Sequence, residues 1–176
     1  MGDHDQPPRT DLHDGARRIG SGAAAATPAH EGWSIAYELT GTEADLAYRW
    51  LSQESDWASG LPRPVLDRAM ANSLKVALKD SHGASGGIGR FVTDRATFAY
   101  PCDVYLDSAC RGRGIGQCLM SQALDHPDLQ DLRRILLVTR DAQGFYEKFG
   151  FTSLTQPENF MHRHDPGICR RPSHAT

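Results

Sequence analysis

The sequence predicts a mixed α/β sheet, and three observations carry that expectation. Strand-like and helix-like stretches alternate as a strand, two helices, three strands, then helix, strand, helix, strand. A glycine-dense loop, Cys110-Arg111-Gly112-Arg113-Gly114-Ile115-Gly116, joins a strand directly to a helix. The run Ile135-Leu136-Leu137-Val138 is continuously apolar, the pattern of a strand buried on both faces and often parallel to its neighbour.

Each element has its own signal. Residues 34–39 (Ser-Ile-Ala-Tyr-Glu-Leu) read as the first strand. Thr42-Glu43-Ala44-Asp45 resembles a capping box with Asp in the glutamate position, opening a helix with Leu46, Trp50 and Leu51 on one face. Past a loop at 55–63, Pro64 suits a first helical turn, and Val65, Leu66, Ala69 and Met70 form an apolar stripe. Residues 74–78 and 88–93 read as two strands joined by a hairpin loop containing Asp80, His82, Gly83, Gly86 and Gly87. Residues 97–107 form a longer strand, but Pro101 lies inside it, and a missing ladder donor implies a bulge or a locally unpaired edge. A helix from Ile115 to about Asp125 places Ile115, Leu119 and Ala123 on one face. Asp141 can cap a helix over 142–149 that stops at Gly150. Residues 151–154 and 160–162 supply closing strands.

The organisation is one domain with two tails. Residues 1–32 hold Pro7-Pro8, Gly20-Ser21-Gly22 and an alanine run, with almost nothing large and apolar. Such a stretch cannot offset its ordering entropy and is expected to be a disordered arm. Residues 33–163 make the folded domain, and 164–176 a flexible C-terminal tail. With 176 residues, 39% apolar and 23% charged, the chain is long enough to bury one core. No stretch reaches the ~18 apolar residues of a membrane helix, so no membrane association is expected. A net charge of −3 and a pI near 6.2 argue against a nucleic-acid partner, which would need a basic face. The four cysteines, Cys102, Cys110, Cys118 and Cys169, contain no C-x-x-C pair, and His162 with His164 lacks a third ligand, so no metal is expected. Free thiols and the lack of an apolar signal region fit a cytoplasmic protein.

The chemistry concentrates at the glycine loop. Glycines permit positive φ and leave no Cβ in the way of a ligand, so successive amides and a helix N-terminus can form a phosphate cradle. Walker A would need Gly-Lys-Ser/Thr after the second glycine, where Gly114-Ile115-Gly116 stands. The dinucleotide pattern fails at Gln117, where its third glycine would fall. What remains is Arg-x-x-Gly-x-Gly. Taken alone it can also be an ordinary strand-to-helix turn.

About thirty residues on, Val138-Thr139-Arg140-Asp141-Ala142 leads into Phe145-Tyr146-Glu147-Lys148-Phe149-Gly150-Phe151. Together the two segments resemble the GNAT superfamily of N-acetyltransferases, the first its acetyl-CoA diphosphate loop and the second its tyrosine-bearing helix followed by Gly-Phe. The resemblance covers about Ser34 to Met161. From Asn72-Ser73-Leu74 to Phe160-Met161 it extends to small bacterial GNAT proteins of undefined acceptor. It implies a mostly antiparallel sheet whose fourth and fifth strands are a splayed parallel pair flanked by helices. The amides of Gly112, Arg113, Gly114, Ile115 and Gly116 would hold the coenzyme A diphosphate, with Arg111 and Arg113 adding charge. Backbone at Tyr105 and Leu106 would pair with the pantetheine arm, and an N–H nearby would polarise the acetyl carbonyl. Thr139 stands where many members carry Asn, and its hydroxyl can still bond the pantetheine. Tyr146, a packed core aromatic if taken alone, matches the general acid that protonates the departing thiolate.

The family has no fixed base position. Asp103, Tyr100 and Asp56 are candidates, Asp103 first among them, and a placed water is an alternative. Asp56 and Trp57 lie between the first two helices, where GNAT folds shape the acceptor pocket, and with Tyr100 they are the expected substrate contacts. The cysteines read as small hydrophobes, since direct transfer needs no acyl-cysteine. The implied function is acetyl transfer from acetyl-CoA directly to a primary amine of a small molecule or peptide, in a ternary complex, by a monomer or homodimer. The alternative is a non-catalytic acyl-CoA-binding sensor using the same pocket.

Overall fold

The computed structural model describes residues 32–165 and 167, so the expectations for the arm at 1–31 and for most of the tail lie outside the described residues. Strand β1 (Trp33–Ala36) leads to helix α1 (Gly41–Arg49), which continues into a wider turn, Trp50–Glu54, closed by Ser55 N–H on the Trp50 carbonyl at 2.8 Å. Helix α2 (Arg63–Ala71) follows with Pro64 in its first turn, then strands β2 (Leu74–Asp80) and β3 (Ser85–Thr93). The long fourth strand expected at 97–107 is divided into β4 (Phe98–Pro101) and β5 (Tyr105–Leu106). Helix α3 (Ile115–Leu124), β6 (Arg134–Ile135) and the short α4 (Gln143–Tyr146) complete the order.

The sheet runs β1-β2-β3-β4-β6, with β5 also on β3. All pairings are antiparallel except β4 with β6, which are parallel with Phe98 opposite Arg134 and Ala99 opposite Ile135. One face packs Leu74, Val76, Leu78, Phe91 and Ala99 against Ile115, Leu119, Met120 and Ala123 of α3. The other packs Ile88 and Tyr105 beneath Ala47, Trp50, Leu51, Leu66 and Met70. The division at Pro101 explains how one strand serves both faces. From Phe91↔Pro101 to Ile88↔Tyr105, β3 advances three residues while its partner advances four. The extra residue is a β-bulge, and it turns Tyr105 to the face opposite Ala99.

Four local expectations are corrected. The capping box sits two residues earlier: Thr40 Oγ1 accepts from Glu43 N–H, and Glu43 returns to Thr40 N–H at 2.7 Å. That register buries Glu43 within 2.8 Å of Lys79 and 3.2 Å of Ser85, partners that Asp45 does not have. The apolar run 135–138 forms ladder only at Arg134–Ile135, and Val138 is 81% exposed. Ile135, Leu136 and Leu137 are only partly buried, so burial on both faces is not achieved. Residues 151–154 and 160–162 form no closing strands; they run exposed around a single turn at Pro157–Asn159. Finally, Asp141 does not cap α4, whose N-cap is Ala142 with no side-chain cap; Thr139 Oγ1 accepts from Ala142 N–H at 3.1 Å just before the helix. The stop at Gly150, with φ of 83°, is as expected.

Candidate functional site

The glycine loop is built outward from β5. Asp107 accepts from Ala109 N–H at 2.9 Å and caps a single 3-10 turn, Ser108–Cys110. Arg111 folds back, its Nε donating to the Leu106 carbonyl at 3.1 Å and its guanidinium lying 5.2 Å over the Tyr105 ring. Gly112 and Gly114 then take φ of 71° and 75°, a conformation that other L-residues adopt only with strain. From Gly112 to Gly116 no amide donates to another described residue. The loop faces a recess of about 270 Å³ lined by Leu106, Arg111, Gly112, Gly114, Gly116, Gln117 and Phe145. A Cβ on Gly116 would come within 2.8 Å of Leu106 Cδ1, so the recess depends on that missing side chain. Unpaired amides, the positive end of α3 and an exposed Arg113 fit a diphosphate.

Next to the loop the sheet opens. β6 pairs only with β4, leaving the outer edge of β5 without a strand among the described residues. Leu106 therefore borders the gap, its carbonyl held by Arg111 Nε, while the inner side packs so closely that a Cβ on Gly87 would meet the Tyr105 carbonyl at 2.6 Å. The Tyr105 ring stacks on Trp50 at 5.5 Å, and its hydroxyl donates to Glu54 at 2.7 Å. Burial first, then the Glu54 charge, raises its pKa.

The expected acceptor residues gather on the α1/α2 side. Trp57, 51% exposed, donates from Nε1 to Asp103 Oδ1 at 3.2 Å and lies 6.3 Å from the Tyr105 ring. Asp103 is buried at the bulge and takes Arg90 Nε on its other oxygen at 2.6 Å. Asp56 points instead to Arg140, 2.7 Å away. Tyr100 is half-buried on β4 opposite Val92, its pKa raised by burial and then by Cys102 and Asp103. Burial pushes the Cys102 thiol up to about 11, so little thiolate exists at neutral pH.

Thr139 and Tyr146 line a second cavity of about 830 Å³ with Leu136, Val138, Phe151 and Leu154. Tyr146 packs edge-on to Phe145 at 5.1 Å and Phe151 at 5.8 Å, and burial raises its pKa. Adjacent residues of α4 thus face different spaces, Phe145 the loop recess and Tyr146 the larger cavity. Sequence reasoning gave no role to Phe145, Glu54, Arg90 or Arg140. For Phe145 the signal was available, as the aromatic preceding Tyr146. For the charged residues it was not, because their partners are distant in sequence. No group of three metal-ligating side chains occurs among the described residues, and no helix there is long and apolar enough to cross a membrane.

Residues 72–153 match the family model described as an acetyltransferase (GNAT) domain. A protein of Xanthomonas campestris pv. campestris described as belonging to the GNAT acetyltransferase family is 37% identical, with a TM-score of 0.73 over 79% of this chain and 97% of its own. An acetyltransferase structure from Deinococcus radiodurans R1 shares the fold at 19% identity and TM-score 0.59, covering 77% and 90% of the two chains. Glucosamine-6-phosphate N-acetyltransferase from Arabidopsis thaliana does so at 16% identity and TM-score 0.55, covering 76% and 99%. No curated protein sequence matches the chain.

Proposed function

The chain belongs to the GNAT acetyltransferase family, and from that premise we propose that it transfers acetyl from acetyl-CoA directly to a primary amine of a small molecule or peptide. The observation that carries this reading is the row of undonated amides from Gly112 to Gly116 around a recess that only glycine keeps open. Acetyl-CoA supplies an acetyl group activated as a thioester. The loop amides, Arg111 and Arg113 hold its diphosphate, and Thr139 with the outer edge of β5 at Tyr105 and Leu106 orients its arm. Asp56, Trp57 and Tyr100 border the acceptor. The attacking nitrogen forms its bond to the acetyl carbon and releases a proton to water at the exposed mouth beside Trp57. Tyr146 Oη, kept protonated by burial, delivers a proton to the departing sulfur as the carbon–sulfur bond breaks.

The test is a melting scan followed by a turnover assay. Acetyl-CoA at ~100 times its Kd should stabilise the protein by ~2.7 kcal/mol, while ATP and NAD do not. Thiol release with a panel of primary amines should then identify an acceptor. No melting shift with acetyl-CoA, or a larger one with ATP, overturns the reading. Tight acetyl-CoA binding without turnover on any amine points instead to an acyl-CoA sensor.

A further inference from the structure

The bulge between β4 and β5 places Arg90 opposite two residues at once: Cys102 N–H donates to the Arg90 carbonyl at 3.0 Å, and Arg90 N–H donates to the Asp103 carbonyl at 3.2 Å. A bulge re-aims a side chain, and here it brings the Asp103 carboxylate under the loop that carries Trp57. Both of its oxygens are committed, Oδ2 to Arg90 Nε at 2.6 Å and Oδ1 to Trp57 Nε1 at 3.2 Å. The chain of bonds continues inward, from Arg90 Nη1 to Ser73 Oγ at 3.2 Å and from that hydroxyl to the Ala69 carbonyl of α2 at 2.8 Å. A carboxylate bound to a guanidinium and an indole N–H is poorly placed to take a proton from an incoming amine. It is well placed to hold what it touches.

We propose that Asp103 is a positioning residue: anchored by Arg90, which Ser73 in turn holds, it fixes the Trp57 indole as the aromatic wall of the acceptor end, next to the Tyr105 ring. The inference rests on the acetyltransferase reading for the word acceptor, but the holding of Trp57 stands on geometry alone. Trp57 is half-exposed, so packing constrains it weakly and the Nε1 hydrogen bond sets its orientation. The two donors reach different oxygens of Asp103, and a carboxylate accepts on both. An asparagine at this position has one acceptor oxygen, which the charged Arg90 takes, and the indole is released.

Three tryptophans make the test readable by fluorine NMR of protein labelled with 5-fluorotryptophan. Trp57→Phe identifies the Trp57 line. In Asp103→Asn that line should move toward the free amino acid and sharpen, while those of Trp33 and Trp50 stay. With an amine from the panel, Asp103→Asn should raise the acceptor KM ~10-fold and change kcat by less than ~3-fold, with the acidic limb of the kcat profile retained. Trp57→Phe should raise KM similarly, and the double variant should be no worse than either single one. An unmoved Trp57 line overturns the proposal. So does a ~100-fold or greater fall in kcat with loss of the acidic limb, the mark of a general base. If Asp103→Asn fails to fold, Trp57→Phe decides through its KM: an unchanged value removes the indole from the acceptor wall. If no amine is acetylated, the acetyltransferase reading fails, and the fluorine line still shows whether Asp103 holds Trp57.

Discussion

Arg140 Nη1 lies 2.7 Å from Asp56 Oδ2, joining stretches that are 84 residues apart in sequence. One partner precedes Trp57, and the other follows Thr139, so the pair spans the two sides of the proposed cleft. With side chains 78% and 63% exposed, it is screened by water and adds at most ~1 kcal/mol to stability. Asp56→Asn is therefore expected to change Tm by less than ~4 °C. The acceptor KM should shift and lose much of its dependence on ionic strength. A larger drop in Tm would assign the pair to folding rather than to the cleft.

The loop glycines should respond unequally to substitution. Gly114 holds φ of 75° at the start of α3, and Gly116 has Leu106 Cδ1 2.8 Å from where a Cβ would stand. Gly114→Val strains the backbone and blocks the amides together, so the acetyl-CoA melting shift should vanish. Gly116→Val drives Leu106 and Phe145 from their places and should do the same. Gly112 also has positive φ but open space around it, so Gly112→Ala should cost ~1–2 kcal/mol of stability and retain part of the shift. Loss in Gly112→Ala equal to that in Gly114→Val would mean that loop conformation, not the shape of the recess, governs binding.

These glycines also show what the sequence makes legible. A strand–glycine loop–helix pattern is local, so the loop, α3 and the mixed α/β class could be read from spacing and from the family resemblance. Pro101 announced a disturbance, and the bulge is where it falls. The bulge's consequence could not be read, because Tyr105 changes faces only through its register with β3. The Asp103–Arg90 pair was hidden for the same reason, and the Asp56–Arg140 pair because its partners lie 84 residues apart. The α1 cap was misplaced because two Thr-x-x-acid frames overlap, and tertiary partners at Lys79 and Ser85 select the earlier one.

That selection makes Glu43 a titrating contributor to stability. Burial pushes its pKa up, but hydrogen bonds from Lys79 and Thr40 outweigh this and leave it below the ordinary glutamate range. A depressed folded-state pKa gives stability that is complete above the ordinary value and is lost as pH falls through the depressed one. Glu43→Gln should therefore lower Tm most at neutral pH, the gap to wild type closing as pH falls below the ordinary glutamate value. Thr40→Ala, which removes the cap but leaves the Lys79 bond to Glu43, should cost ~1 kcal/mol. A Glu43→Gln gap that stays constant or widens in acid would show that shape, not charge, is what Glu43 contributes.

Tyr146→Phe tests the proposed proton donor. The ring keeps its edge-on contacts with Phe145 and Phe151, and the hydroxyl has no hydrogen-bond partner among the described residues, so stability should hardly change. A general acid typically contributes ~10²–10⁴-fold. A thiolate leaves readily, so the loss in kcat is expected near or below the low end of that range, ~10–100-fold. Acetyl-CoA affinity should stay near the wild-type value, since the loop amides and the β5 edge are untouched. A depressed kcat at constant cofactor affinity marks an interaction worth more in the transition state than in the ground state. The pH dependence follows from the sign of the shift. Burial raises the phenol pKa, so the acid stays protonated through neutral and mildly alkaline pH, and wild-type kcat should fall only in strong alkali. The phenylalanine variant should lack that alkaline limb. Full turnover of Tyr146→Phe on a verified amine would leave Tyr146 as a packing residue lining the cavity beside Thr139.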